Sequence, residues 1–379
     1  MNSRTFCAAP WAHIFVGGNG KLGPCCAWNT NQLSGSYTQI MKFYNGEEMR
    51  NLRKQLHHGE QVPACNICWQ EEAHGKLSMR QIYSRDLSRK VNLRSLDTET
   101  WQADVPVSYY LELGNLCNLQ CVMCDSEHST SIGAEYQQHQ QEFSQLKFYA
   151  KPTVKGEFTW PRELGFKQFI DEYSDKIQIL RLAGGEPTLI PYVHDLFDSI
   201  PHPENVDLEI TTNATKITDR FLEQASKFKS VRIIASVEGV GTDNDQIRYG
   251  SNWTEFQQNL RKLKELPNSY IVLNYVFQCF SIKTFLPLLA WADSNNFTLD
   301  VWSVQDLDYL DIHSVEPQQI DEFVDMLEKT TSEYNQLALD TVLNKIAHYQ
   351  YNPLQHVQML EYLKTLDSIR GTQLTSYFL

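Results

Sequence analysis

Three cysteines, Cys117, Cys121 and Cys124, stand in a CxxxCxxC spacing on one short stretch. Three thiolates on a loop can hold three irons of a cubane cluster. The fourth iron then stays open to a small molecule that chelates through an amine and a carboxylate. The competing readings are a structural zinc site or three reduced core thiols. Zinc asks for four closed ligands, and only His128 lies nearby as a further donor. A second set, Cys7, one of Cys25 and Cys26, Cys65 and Cys68, offers four thiolates. Iron–sulfur and zinc accept that set alike. His57, His58 and His74 are conceivable substitute ligands there, though solvated loop histidines need no metal. Cys279 stands outside both sets.

These side chains need elements to position them. The run Tyr109 to Leu113 is apolar and β-prone, and it delivers the cysteine loop from the end of a strand. Near the N-terminus, two short apolar runs flank Gly17-Gly18-Asn19-Gly20 and read as a β-hairpin that brings Cys7 toward Cys25 and Cys26. A helix is expected from about 38 to 58, burying Ile40, Phe43, Met49, Leu52 and Leu56, and Gly59 stops it. Residues 76–100 carry six Arg or Lys side chains and read as surface linker helices with a solvated face. From about 160 onward, helical and strand-like stretches alternate, giving strands near 177–182, 206–210, 231–235, 270–277 and 298–304.

Six strands with intervening helices predict an α/β fold, a parallel sheet curled into a partial (β/α)6 barrel. The polar motifs fall at the C-terminal ends of these strands, where β/α barrels place their chemistry. Gly184-Gly185-Glu186-Pro187 suits a backbone that approaches a ligand closely, with Glu186 accepting from an ammonium group. Asn213, Ser236 and Glu238 can reach hydroxyls of a ribose, or simply cap their loops. Arg248 can pair with a carboxylate in bidentate fashion, or serve an ordinary ion pair.

With 379 residues and a formal net charge of -13, the chain has material for two or three domains and no general affinity for a phosphate backbone, so nucleic acid is not an expected partner. An odd count of nine cysteines, with tight CxxC and CxxxCxxC groupings among them, argues for metal ligation in a reducing compartment. The N-terminus does not read as a signal peptide and no run approaches a membrane span, so the expected location is cytoplasmic.

On these motifs the chain resembles the radical SAM superfamily. Cys117, Cys121 and Cys124 match the family's CxxxCxxC, and Gly184 to Pro187 its GGEP. Thr212-Asn213, Ser236-Val237-Glu238-Gly239 and Arg248 look like its ribose and carboxylate motifs. The resemblance implies a 4Fe-4S cluster whose open iron is chelated by S-adenosylmethionine, reductive cleavage to methionine and a 5′-deoxyadenosyl radical, and hydrogen-atom abstraction from a substrate. It also implies an electron donor such as flavodoxin or ferredoxin. Cys7, Gly20, Cys25, Cys65 and Cys68 look like the auxiliary-cluster modules called SPASM and twitch. That favours an auxiliary iron–sulfur cluster, expected to be 4Fe-4S, and Cys25 over Cys26. In related radical epimerases a cysteine returns a hydrogen atom to substrate, which makes Cys279 a candidate donor.

The sequence departs from the family in places. The module precedes the barrel, and His74 stands where a further SPASM cysteine would fall, leaving a single auxiliary cluster. Met123 replaces a frequent aromatic, and Asn213-Ala214 replaces Asn-Gly. The expected domains are an auxiliary module at 1–75, linker helices at 76–107, the barrel at 108–305 and a helical extension at 306–379 with no chemistry of its own. The expected substrate is a peptide. The alternatives are a sugar, nucleotide or other small metabolite, or a non-catalytic iron–sulfur or zinc scaffold.

Overall fold

The structure, a computed structural model, describes residues 4–28, 39–73, 77–150, 156–304 and 307–379. His74 lies outside these residues. The chain folds as two compact units, each assembled from discontinuous segments. One comprises residues 1–115, 158–210 and 219–231; the other comprises 116–157, 211–218 and 232–379.

The first unit begins with the expected hairpin. Strand β1 (His13–Val16) pairs antiparallel with β2 (Leu22–Gly23). The turn between them is closed by the Gly17 N–H donating to the Lys21 carbonyl at 2.9 Å. Gly20 takes φ +78° there, a conformation that favours glycine. All four residues of β1 are buried, the pattern of a strand covered on both faces. Accordingly β1 is not confined to a small separate module. It pairs in parallel with β3 (Ser108–Glu112), His13 opposite Ser108. Strands β4 (Ile179–Ala183) and β5 (Asp207–Thr212) continue the parallel order from β3.

The helix expected across 38–58 is two helices, Ile40–Tyr44 and Glu47–His58. The break is chemical. The Asn45 amide exchanges two 2.9 Å hydrogen bonds with the Ala103 backbone, and a Cβ at Gly46 would meet the Lys42 carbonyl oxygen at 3.0 Å. Tyr44 is consequently buried, while Phe43 is only half-buried. Gly59 ends the second helix in the left-handed conformation at φ +98°.

The linker is less solvated than its charge suggests. Its helix, Met79–Leu87, opens with a capping box between Ser78 and Gln81 and buries Arg80, Tyr83 and Leu87. Arg80 answers its burial with the Glu72 carboxylate at 2.6 Å and the Phe6 carbonyl.

In the second unit, β6 (Ser230–Ser236), β7 (Ser269–Phe277) and β8 (Thr298–Ser303) lie side by side, β7 and β8 in parallel. The strand-helix alternation read from the sequence is thus observed. The extension forms three helices, Pro317–Glu328, Gln336–Ile346 and Pro353–Arg370. Among the described residues no helix is long and apolar enough to cross a membrane.

Candidate iron–sulfur and S-adenosylmethionine site

The loop carrying Cys117, Cys121 and Cys124 has no regular structure of its own, so its backbone groups must find partners elsewhere. The Ser129-Thr130-Ser131 run supplies several. Ser131 Oγ donates to the Cys117 carbonyl at 2.7 Å, and Ser129 Oγ donates to the Leu119 carbonyl at 2.7 Å. Ser129 is also the N-cap of the Thr130–Gln138 helix. On the other side, the Gln120 and Val122 N–H groups donate to the Tyr249 and Ile247 carbonyls, each at 2.9 Å. Six hydroxyl and backbone contacts therefore hold the loop in one shape, counting Thr130 Oγ1 on the Cys117 N–H and carbonyl.

The three thiols lie close enough to act on one another electrostatically. Burial pushes the Cys124 thiol well above its ordinary value, and the nearby Cys121 and Cys117 sulfurs push it further. Arg248 lies within their electrostatic reach: burial works against its charge, but Cys121, Glu238, Cys117 and Cys124 together sustain it. Three thiols on one braced loop, with a guanidinium in electrostatic reach, suit a cluster with one open iron and a carboxylate-bearing ligand.

The second set of thiols lies in the first unit. Cys7, Cys25, Cys65 and Cys68 line one cavity with Trp28, Arg80 and Tyr83. Burial raises the Cys65 thiol to about 12, so ligation by thiolates must expel protons from this site. The vicinal pair separates. Cys25 lines the cavity, whereas Cys26 is exposed with its sulfur 3.8 Å from Tyr83 Oη. Among the described residues no three His, Cys, Asp or Glu side chains close on a single metal ion. The thiols surround a space instead, as a multi-iron cluster requires.

The remaining expected residues divide between the units. In the first, Gly184 has φ +109°, and a Cβ there would lie 2.7 Å from the Gly114 carbonyl oxygen. Only glycine fits. The Gly185 N–H donates to the same carbonyl at 3.0 Å. Glu186 is fully buried, and its carboxylate accepts from the Thr188 N–H and hydroxyl, capping its own turn. In the second unit, Asn213 Nδ2 donates to Asn118 Oδ1 at 3.1 Å and lies 3.8 Å from Cys117 Sγ. Ser236 ends β6, half-buried. Glu238 and Arg248 are paired with each other at 3.2 Å, and Glu238 also accepts from the Val276 N–H.

Cys279 has no exposed surface and its N–H donates to the Leu310 carbonyl. Burial pushes its thiol well up. This placement is that of a core thiol, and it lends no support to the donor expectation, since a donor must meet substrate. Sequence reading missed the Ser129–Ser131 bracket, Arg80 and Tyr83 around the thiol cavity, and contacts from the last long helix. A hydroxyl run opening a helix just after the cysteines was the available signal for the first.

A parallel strand-helix chain with two thiol sets, one of three and one of four, defines a two-site iron–sulfur protein. Residues 111–289 match the radical SAM superfamily, and residues 7–69 match SPASM, an iron–sulfur cluster-binding domain. The chain thus carries a radical SAM domain and a SPASM domain on an α/β fold with a parallel strand-helix repeat. Its cofactors are accordingly a 4Fe-4S cluster, S-adenosylmethionine and an auxiliary iron–sulfur cluster. Similar solved structures include Streptococcus suis SuiB bound to precursor peptide SuiA, at 14% identity, covering 79% of this chain and 64% of that one, with a TM-score of 0.41. Another is anSMEcpe with bound AdoMet and Cp18Cys peptide, at 12% identity, covering 58% of each chain, with a TM-score of 0.38. The chain thus spans about three fifths of the length of these solved proteins. No curated protein matches the chain.

Proposed function

We propose that the chain is a radical SAM enzyme that acts on a peptide. When bound, the cluster and S-adenosylmethionine supply reductive cleavage to a 5′-deoxyadenosyl radical, which takes a hydrogen atom from substrate. The observation carrying this reading is that Cys117, Cys121 and Cys124 share one loop braced by Ser129, Ser131, Ile247 and Tyr249, inside the segment that matches the radical SAM superfamily.

In this reading the three cysteines ligate the cluster and Arg248 orients the ligand carboxylate. Glu238 holds the guanidinium from behind through the 3.2 Å pair. Asn213 braces the loop at Asn118 and sits beside Cys117. The Gly184–Gly185 backbone offers close approach, and Ser236 offers a hydroxyl at a strand end. Cys7, Cys25, Cys65 and Cys68 hold the auxiliary cluster. An external one-electron donor, such as flavodoxin or ferredoxin, is required.

The test is anaerobic reconstitution with a chemical reductant. The wild-type protein should convert S-adenosylmethionine to 5′-deoxyadenosine, and a C117A/C121A/C124A variant should lose that activity and about half of the cluster absorbance, the auxiliary site being untouched. Equal turnover in the two proteins would sink the enzyme reading. The peptide class follows the sequence expectation and is tested apart. Peptide pools should raise 5′-deoxyadenosine formation and change in mass, whereas stimulation by nucleotide or sugar pools alone would replace it with the metabolite reading.

A further inference from the structure

The Pro353–Arg370 helix lies outside both matched segments, yet it grips the cysteine loop. Tyr362, nearly buried, donates through its hydroxyl to the Val122 carbonyl at 3.1 Å, between Cys121 and Cys124. Eight residues on, at the helix end, Arg370 makes a bidentate pair with Glu135, at 2.7 Å and 2.6 Å. The two side chains are only 3% and 6% exposed. The Arg370 guanidinium also sits 5.1 Å over the Tyr249 ring, whose hydroxyl donates back to the Arg370 carbonyl. Tyr249 in turn accepts the Gln120 N–H, next to Cys121.

A buried cation costs several kcal/mol unless its surroundings repay it. Glu135 repays part of this, but Arg370 Nη1 is buried with no hydrogen-bond partner among the described residues. A cleft lined by Gln120, Ser131, Glu135, Tyr249 and Arg370 brings this guanidinium to the cysteine loop. We propose that Arg370 is a positioning residue for the radical cluster: it fixes the cysteine loop through Tyr249 and Glu135, and its charge favours the reduced cluster. This rests on the assignment of the cluster to Cys117, Cys121 and Cys124. Adding an electron to a thiolate-bound cluster adds negative charge, which a fixed buried cation offsets in low dielectric. The charge lies beside the site: Arg370 stacks on Tyr249, whose carbonyl holds the Gln120 N–H next to Cys121, and it lines a cleft with Gln120.

The experiment is a spectroscopically monitored redox titration of the anaerobically loaded protein without S-adenosylmethionine. The midpoint potential should become more negative in R370Q, stay near wild type in R370K, and become more positive in E135Q, where the cation loses its neutralising partner. A merely structural pair would lower iron retention in R370Q and E135Q alike and leave the potential of the remaining cluster unmoved. Shifts of one sign in both variants, or none, overturn the proposal. If R370Q does not fold, E135Q/R370M leaves no unpaired buried charge and should still titrate below wild type, because Arg370 is the member stacked on Tyr249, which holds Gln120 next to Cys121. Y362F tests the grip without a charge change: a chelator should strip iron from it faster, at an unchanged potential. A wild-type chain that binds no cluster at the triplet removes this proposal and the proposed function together. A loaded, active wild type with unmoved variants removes this one alone.

Discussion

At Gly184 the backbone takes φ +109°, with the Gly114 carbonyl 2.7 Å from where a Cβ would sit. G184A must therefore strain the backbone and push two turns apart. We expect a loss of about 1–3 kcal/mol of stability, read from urea unfolding; a loss under half that range would mean the turn yields easily. Glu238 offers a test by pH. Burial lifts its carboxyl from 4.5 to about 8, against the opposing pull of Arg248, the Val276 N–H and Gln278. Between those values the native chain keeps a proton that the unfolded chain has released. Stability of the cluster-free protein should therefore fall as pH rises through this window, by at most about 1.4 kcal/mol per pH unit. E238Q should flatten that slope in melts at several pH values, and an unchanged slope would assign the dependence to other groups. The glycine and the acid were both visible in the sequence as polar punctuation at strand ends. Their partners were not, because a carbonyl some seventy positions away leaves no local mark. Ala214 shows the same limit: the departure from Asn-Gly was legible, but only the structure shows alanine held at φ +53°.

Among the elements, the Glu47–His58 helix is tied to its surroundings by Arg53 as well as by its apolar face. Arg53 is fully buried and donates to the Pro10, Trp101 and Tyr44 carbonyls and to Asn45 Oδ1. Its guanidinium also lies 4.7 Å from the Tyr44 ring centre. R53M would fill similar space while orphaning these acceptors. The expected cost is about 3–5 kcal/mol, measured by guanidinium denaturation, and a cost near 1 kcal/mol would show that water or rotation satisfies them. Helical periodicity marked Met49, Leu52 and Leu56 as core, and each is buried. It could not mark Arg53, since a charged side chain on an apolar face reads as solvated unless its acceptors are known. The strands were legible for the same reason as the helices, through alternation: β5 and β6 bury every second residue. The parallel pairing of β1 with β3 was not legible, because pairing joins residues about a hundred positions apart.

For the molecule as a whole, the sequence suggested domains laid end to end, whereas packing groups the chain into two units of three segments each. Local pattern reports what each segment is, and only long-range contacts report which segments share a core. That grouping has a consequence for loading. Cys7, Cys25, Cys65 and Cys68 belong to the unit that contains residues 1–115, and Cys117, Cys121 and Cys124 belong to the unit that contains 116–157. The two sets share no ligand, and each is fixed by contacts inside its own unit: the thiol cavity with Arg80 and Tyr83 in one, the hydroxyl bracket and Arg370 in the other. The sites should therefore load independently. With about four irons per 4Fe-4S cluster, the reconstituted chain should carry about eight. C65A/C68A should keep about four and still cleave S-adenosylmethionine, because the triplet and Arg248 are untouched. C117A/C121A/C124A should also keep about four and cleave none. Iron and acid-labile sulfide analysis beside 5′-deoxyadenosine assays decides this. A C65A/C68A protein that loses all its iron would show that one cluster is needed to assemble the other.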